Sequence, residues 1–215
     1  MIVFDLVGES ENHQVYQDLT IENGIRQYDF LKSIVGASIS LGRPFLSSQV
    51  LKALNYHAIA CLHSHAGEFR PCHVHIIRPG LPNYDAPPPH RVQALMDDFV
   101  NMVNRVWHES DLIGLAAFVL WRLNAIHPFI NGNGRTARAA SYFVLCIKAN
   151  QWLPGKMILP DLIKRERLRY EAGLREADGG NFGPLHQLLQ ELLNEQLNGN
   201  PPAAPPAASA PSPNP

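Results

Sequence analysis

Apolar residues along this chain recur mostly at helical spacing, and only one short stretch alternates as a strand does. Over residues 11–40, Val15, Leu19, Ile25, Phe30, Leu31, Ile34 and Val35 predict two loosely amphipathic helices around Gly24. Leu51, Leu54, Ala58 and Leu62 share one face of the next helix, which Ser47 or Ser48 would cap. Residues 67–71 are irregular and lead into His73-Val74-His75-Ile76-Ile77, alternating and β-branched, which predicts a short strand. Proline and glycine make residues 79–89 a loop. Val92, Leu95, Met96, Phe99, Val103, Val106 and Trp107 then define one face of a helix. Residues 111–126 are apolar on nearly every side, and such a helix belongs in the middle of a bundle. Pro128, Gly132 and Gly134 interrupt the pattern before a helix over about 135–149. A charged helix is expected over 161–177, and a last one, capped near Asn181, buries Leu185, Leu188, Leu189, Leu192 and Leu193. The sum is mostly helical with one small strand unit.

Composition narrows the function more than the fold. Of 215 residues, 46% are hydrophobic and 17% charged, enough apolar material for one buried core. Eighteen Lys and Arg against nineteen Asp and Glu leave a net charge of −1, which is not the electrostatic footprint of a general nucleic-acid binder. The longest strongly apolar run, residues 112–121, is about half of the ~20 residues a membrane helix needs. Neither nucleic acid nor a membrane is therefore an expected partner. Cys61, Cys72 and Cys146 show no metal-ligand spacing and read as small core residues in a reducing compartment. No basic and apolar leader follows Met1, so the expected location is cytoplasmic. Residues 198–215 hold seven of the eighteen prolines and no charge, the composition of a disordered Pro/Ala-rich tail.

The chemistry concentrates in His127-Pro128-Phe129-Ile130-Asn131-Gly132-Asn133-Gly134-Arg135-Thr136-Ala137-Arg138. Two glycines one residue apart allow tight backbone angles and leave amide N–H groups uncovered. The loop opens onto a helix N-terminus, whose unpaired N–H groups and dipole attract anions. Arg135 and Arg138 lie three apart on that first turn and can clamp phosphates. His127 has the pKa range of a base that takes a proton from a hydroxyl.

At these residues the sequence resembles the Fic family, whose signature is HxFx[D/E]GNGRxxR. Residues 66–70 followed by Val74-His75-Ile76 are also similar to Fic sequences, as are Pro87-Pro88, Trp121-Arg122-Leu123-Asn124, and Tyr170 with Ala177-Asp178. The resemblance implies an all-α Fic fold with a short β-hairpin flap near residues 67–78. It divides the chain into a helical extension (1–44), a Fic domain (45–197) and the tail (198–215). It also implies a protein adenylyltransferase that moves AMP from ATP to a Ser, Thr or Tyr hydroxyl of a protein substrate. His127 would be the catalytic base, and Phe129 would anchor the loop. Gly132, Asn133, Gly134, Arg135 and Arg138 would bind the nucleotide's phosphates. Val74, His75, Ile76 and Ile77 would form the flap that docks the target segment.

Position 131 departs from the signature: Asn131 stands where the family has the acid that binds Mg²⁺ (or Mn²⁺). Three readings follow: a transferase weakened at its metal, a degenerate nucleotide-binding module with little or no transfer, and a Fic transferase using another donor or group. Self-modification, an antitoxin partner and a homodimer are compatible with the resemblance. Glu22-Asn23 fits the end of the family's inhibitory motif, in which Glu22 would pair with Arg138, although Asp18 stands in place of the expected hydroxyl residue. The pairs His63/His65 and His73/His75 lack carboxylates at zinc-ligand spacing, apart from Glu68. Residues 164–169, rich in Lys and Arg, read as a solvated helix face.

Overall fold

The computed structural model describes residues 2–42, 46–76 and 83–199. Ile77, the expected domain boundary at 44/45 and the tail beyond Gly199 fall outside the described residues. The helices are α1 (Val3–Leu6), α2 (Gln14–Ser40), α3 (Ser48–Ile59), α4 (Pro89–Arg105), α5 (Leu112–Ile126), α6 (Asn133–Lys148), α7 (Leu159–Arg165), α8 (Arg167–Asp178) and α9 (Gly183–Asn198). One antiparallel hairpin, β1 (His75–Ile76) with β2 (Tyr84–Asp85), completes the described elements. The architecture is the expected mostly helical one.

The centre is a helical hairpin. Asp111 caps α5, its carboxylate accepting from the Gly114 amide at 2.7 Å. Apolar residues on nearly every side let α5 bury Leu115, Ala116, Val119, Leu120 and Leu123. Its partner α6 is buried almost continuously from Thr136 to Ile147, and α2, α3, α7 and α9 pack around the pair. Each large side chain taken fully out of water here contributes about 1.5–3 kcal/mol. This rigid pair carries the signature loop between its two helices.

Several expectations change. The stretch around Gly24 is one continuous helix, α2, not two. The helix cost of a glycine, about 1 kcal/mol, is offset by tertiary anchors that hydrophobic periodicity does not register. Buried Asn23 donates to the Ala60 carbonyl at 2.9 Å, and buried Gln27 donates to the Leu54 carbonyl at 2.8 Å. The charged helix of 161–177 is divided at Glu166, whose ψ of 38° ends α7 and starts α8. The hairpin begins within the expected 67–78 region, at His75, but extends past it: residues 67–74 are not strand, and the partner strand Tyr84–Asp85 falls where loop was expected. It is anchored there by the Tyr84 hydroxyl, which donates to the Ala125 carbonyl of α5 at 2.8 Å. Only Cys146 is a core cysteine; Cys61 and Cys72 are exposed. Cys61 sits in the turn after α3 at φ 62°, which points its side chain out of the helix packing. No helix among the described residues is long and apolar enough to cross a membrane.

Candidate active site

The signature loop is held by side chains from three parts of the chain. His127 ends α5 in the left-handed region at φ 50°. Its carbonyl accepts from Arg70 Nε at 2.8 Å, and the next carbonyl, of Pro128, accepts from the Arg70 amide at 2.9 Å. The Arg70 guanidinium also donates to the carbonyls of Cys72 and Pro87, so one buried cation ties the base of the flap to the loop. Phe129 is fully buried against Phe69, ring centres 5.6 Å apart, which is the anchoring expected of it. Asn133 closes the turn by bonding both the amide and the carbonyl of Phe129, at 2.9 and 2.8 Å. Gly132 stands at φ 75°, and a Cβ there would come within 2.7 Å of Ile59 Cγ2. The chain can therefore turn so tightly against α3 only with glycine.

What this shape exposes is a cavity of about 570 Å³, a size suited to a nucleotide-sized ligand. His127, Gly134 and Arg138 line it from the loop and the start of α6. No side chain caps the N-terminus of α6, so its first amides are left for a ligand. The half-buried Arg138 guanidinium makes no hydrogen bond or ion pair among the described residues. A partly desolvated cation without an anion is costly by itself, and an anionic ligand relieves that cost. Lys164, Arg167 and Arg175 line the opposite helices, α7 and α8, against only two carboxylates, Glu171 and Asp178. Residues 164, 165, 167, 168 and 169 are exposed, as expected of a solvated face. Arg165 pairs with Glu195, Arg169 with Glu191 and Arg167 with Glu171, while Lys164 and Arg167 also border the cavity.

His127 is neutral at physiological pH. Burial pushes its pKa down to about 4, against the nearby Asn124 carbonyl and with help from the Arg70 charge. Its buried Nδ1 has no hydrogen-bond partner among the described residues. The ring at the cavity wall is thus uncharged and, in the unliganded cavity, a weak base.

The two signature arginines do not act as a pair in this conformation. Arg135 donates from Nη1 to the Ala58 carbonyl at 2.8 Å and from Nη2 to Asn131 Oδ1 at 3.1 Å, and neither Arg135 nor Asn131 lines the cavity. Asn131 Oδ1 is therefore taken by a cation, and the described residues contain no cluster of three His, Cys, Asp or Glu side chains able to hold a metal. As placed, Asn131 does not fit Mg²⁺ or Mn²⁺. Glu22 is exposed on α2 and makes no hydrogen bond or ion pair with Arg138. The flap residues are better placed: Ile76 and Tyr84 line the cavity, and Val74 and His75 lead into it. His75 Nδ1 lies 2.6 Å from Asp85 Oδ1 across the ladder, in solvent.

Comparison with known proteins agrees with this geometry. Residues 45–145 match the model of the Fic/DOC family. This segment is a Fic/DOC domain. The same fold is found in Fic-1 from C. elegans, with a TM-score of 0.69 at 21% identity over 92% of this chain and 55% of that one. It recurs in a Fic domain containing signaling protein from Bacteroides thetaiotaomicron, with a TM-score of 0.64 at 19% identity over 93% and 80%. BepC from Bartonella tribocorum, solved with bound AMPPNP, gives 0.52 at 16% identity over 77% and 85%. The chain thus spans about half the length of the C. elegans fragment it matches, residues 134–508 of Fic-1. No curated protein matches the sequence.

Sequence reasoning missed several residues that shape this Fic site. Arg70 was visible only as part of a motif, and its role as a pin appears once the distant carbonyls of His127 and Pro87 join that of nearby Cys72 around it. Asn55 bridges α3 to the loop, donating to the Asn131 carbonyl at 2.9 Å and accepting from the Gly67 amide at 3.0 Å. Arg167, Glu171, Arg175 and Asp178 follow a spacing of three to four along α8, a signal that charge spacing carried but that solvent exposure also explains.

Proposed function

We propose that this Fic/DOC protein is a nucleotidyltransferase that moves AMP from ATP to a side-chain hydroxyl of a protein. The carrying observation is that neutral His127 and unpaired Arg138 line one nucleotide-sized cavity, with the uncapped start of α6 between them. The AMPPNP bound to the structurally similar BepC supports a nucleotide as the donor.

In this reading Arg138, the α6 amides and the lysine and arginines of α7 and α8 hold the triphosphate and neutralise the leaving group. The target hydroxyl oxygen attacks the α-phosphorus and its proton passes to His127. The α–β bridging P–O bond breaks, and pyrophosphate leaves with its charge against Arg138. The low pKa of His127 belongs to the unliganded cavity. Phosphate charge brought beside the ring raises it toward neutrality, where a base is most effective. Nucleotide binding thus prepares the base it needs. The flap offers strand edges on which an extended target segment can pair, laying its hydroxyl at the cavity mouth. A divalent cation would enter with the nucleotide, on the phosphate oxygens, rather than on Asn131.

The test is incubation of the full chain with α- or γ-labelled ATP, a divalent cation and a cell extract, beside His127→Ala. Retention of α-label on protein by wild type alone supports AMP transfer. Retention of γ-label alone means phosphorylation and overturns it, and so does retention of neither label.

A further inference from the structure

A line of hydrogen bonds crosses the signature loop outside the cavity. Glu11 Oε1 accepts from Asn131 Nδ2 at 3.0 Å, Asn131 Oδ1 accepts from Arg135 Nη2 at 3.1 Å, and Arg135 Nη1 donates to the Ala58 carbonyl at 2.8 Å. The amide of Asn131 therefore joins an anion to a cation, with its donor end to one and its acceptor end to the other. Glu11 is brought there by a strap, the segment that joins α1 to α2. The amides of Val3 and Phe4 donate to the carbonyls of Cys61 and Leu62 at 2.8 and 3.1 Å. Phe4 lies against the His63 ring at 4.6 Å, and the Gln17 side chain donates to the Glu11 carbonyl. Val3, Phe4 and Val7 pack in the same apolar cluster as Ile130 of the loop. The strap is thus docked on the loop by backbone, apolar and charged contacts together.

We infer that Glu11 is a positioning residue of the proposed transferase site: it sets the orientation of the Asn131 amide, and through it holds Arg135 on Ala58, so that the loop presents Gly134 and Arg138 to the donor. The inference rests on the transferase reading for its functional consequence, and on the hydrogen-bond geometry for its structural one. It also explains the residue type at 131. An aspartate there would satisfy Arg135 but would place a second carboxylate against Glu11. Asparagine meets both neighbours at once. Burial disfavours the charge of Arg135, and Glu11 is a nearby anion that opposes this.

The experiment is a charge swap in the full chain: wild type, Glu11→Gln, Asn131→Asp, and the two combined. Two readouts are taken, hydrogen exchange of the 127–138 peptide and α-label transfer. Thermal melts confirm that each variant is folded. Asn131→Asp is expected to speed exchange in the loop and to lower transfer about tenfold, the scale of one charged hydrogen bond beside a half-exposed partner. The combined variant restores a donor at 11 and an acceptor at 131. It should return both readouts to within about threefold of wild type, as a coupled pair does. A merely structural loss at either position would not be rescued in this way. Loop protection in Asn131→Asp equal to wild type, or a combined variant no better than Asn131→Asp, overturns the inference. Should wild type transfer no label, the exchange pattern alone decides on Glu11, and it is the transferase reading that fails.

Discussion

Arg70 Nε donates to the carbonyl of His127 at 2.8 Å, so the left-handed backbone of the proposed base is held by a cation from a distant turn. The same guanidinium holds Cys72 and Pro87, at the foot of the flap. Base and flap are therefore set by one side chain, and a change in Arg70 moves both.

Replacing Arg70 with alanine leaves these carbonyls without their donor in a buried place. A loss of about 3–5 kcal/mol is expected, the scale for breaking a buried charged network. Arg70→Lys, which lacks the planar fork, should recover only part of it. Chemical denaturation of the three proteins measures this. A loss below about 1 kcal/mol for alanine would show that the fork does not hold the loop.

His127 gives the fold a pH dependence with a definite sign. Its folded pKa of about 4 lies below the ordinary 6.5. Stability is complete above pH 6.5 and is lost as pH falls toward 4, because the unfolded chain takes up a proton that the folded chain refuses. At pH 4.5 the loss from this group is about 2.5 kcal/mol. His127→Asn should lack that component. Denaturant titrations of both proteins at pH 7.5 and 4.5 make the comparison, and equal pH slopes would contradict the buried neutral histidine.

Among the described residues Arg138 has no hydrogen-bond or ion-pair partner to lose. Arg138→Ala should leave the melting temperature unchanged or slightly raised, while weakening binding of a non-hydrolysable ATP analogue by about 10- to 100-fold, the worth of a charge-assisted phosphate contact. Calorimetric titration of the analogue reads both affinity and its salt dependence. An unchanged affinity would remove Arg138 from the donor site.

Gly132→Ala combines a positive φ of 75° with a Cβ contact of 2.7 Å to Ile59. A destabilisation of about 1–3 kcal/mol is expected, with faster hydrogen exchange at the start of α6. A thermal melt and an exchange map of the same sample test it. Wild-type behaviour in both would mean that α3 yields to the new methyl.

Much of the helical order was legible because burial imposes a period of 3.6 on residues such as Leu51, Leu54 and Ala58, and the loop was legible because its chemistry is local. The continuity of α2 was not, since Asn23 and Gln27 are buried polar anchors that break the apolar stripe. The strand at Tyr84–Asp85 was not, since two paired residues carry no pattern and their place is set by a hydroxyl bond to α5.

By itself the sequence determined the helical class, the signature loop from His127 to Arg138 and the resemblance it carries, because those depend on residue type and near spacing. Only the tertiary structure decided which signature side chains face the cavity. Arg138 does, and Arg135 is turned to Ala58 and, through Asn131, to Glu11. The physical reason is that a guanidinium goes where the nearest acceptors are, and those acceptors come from parts of the chain that only folding brings together.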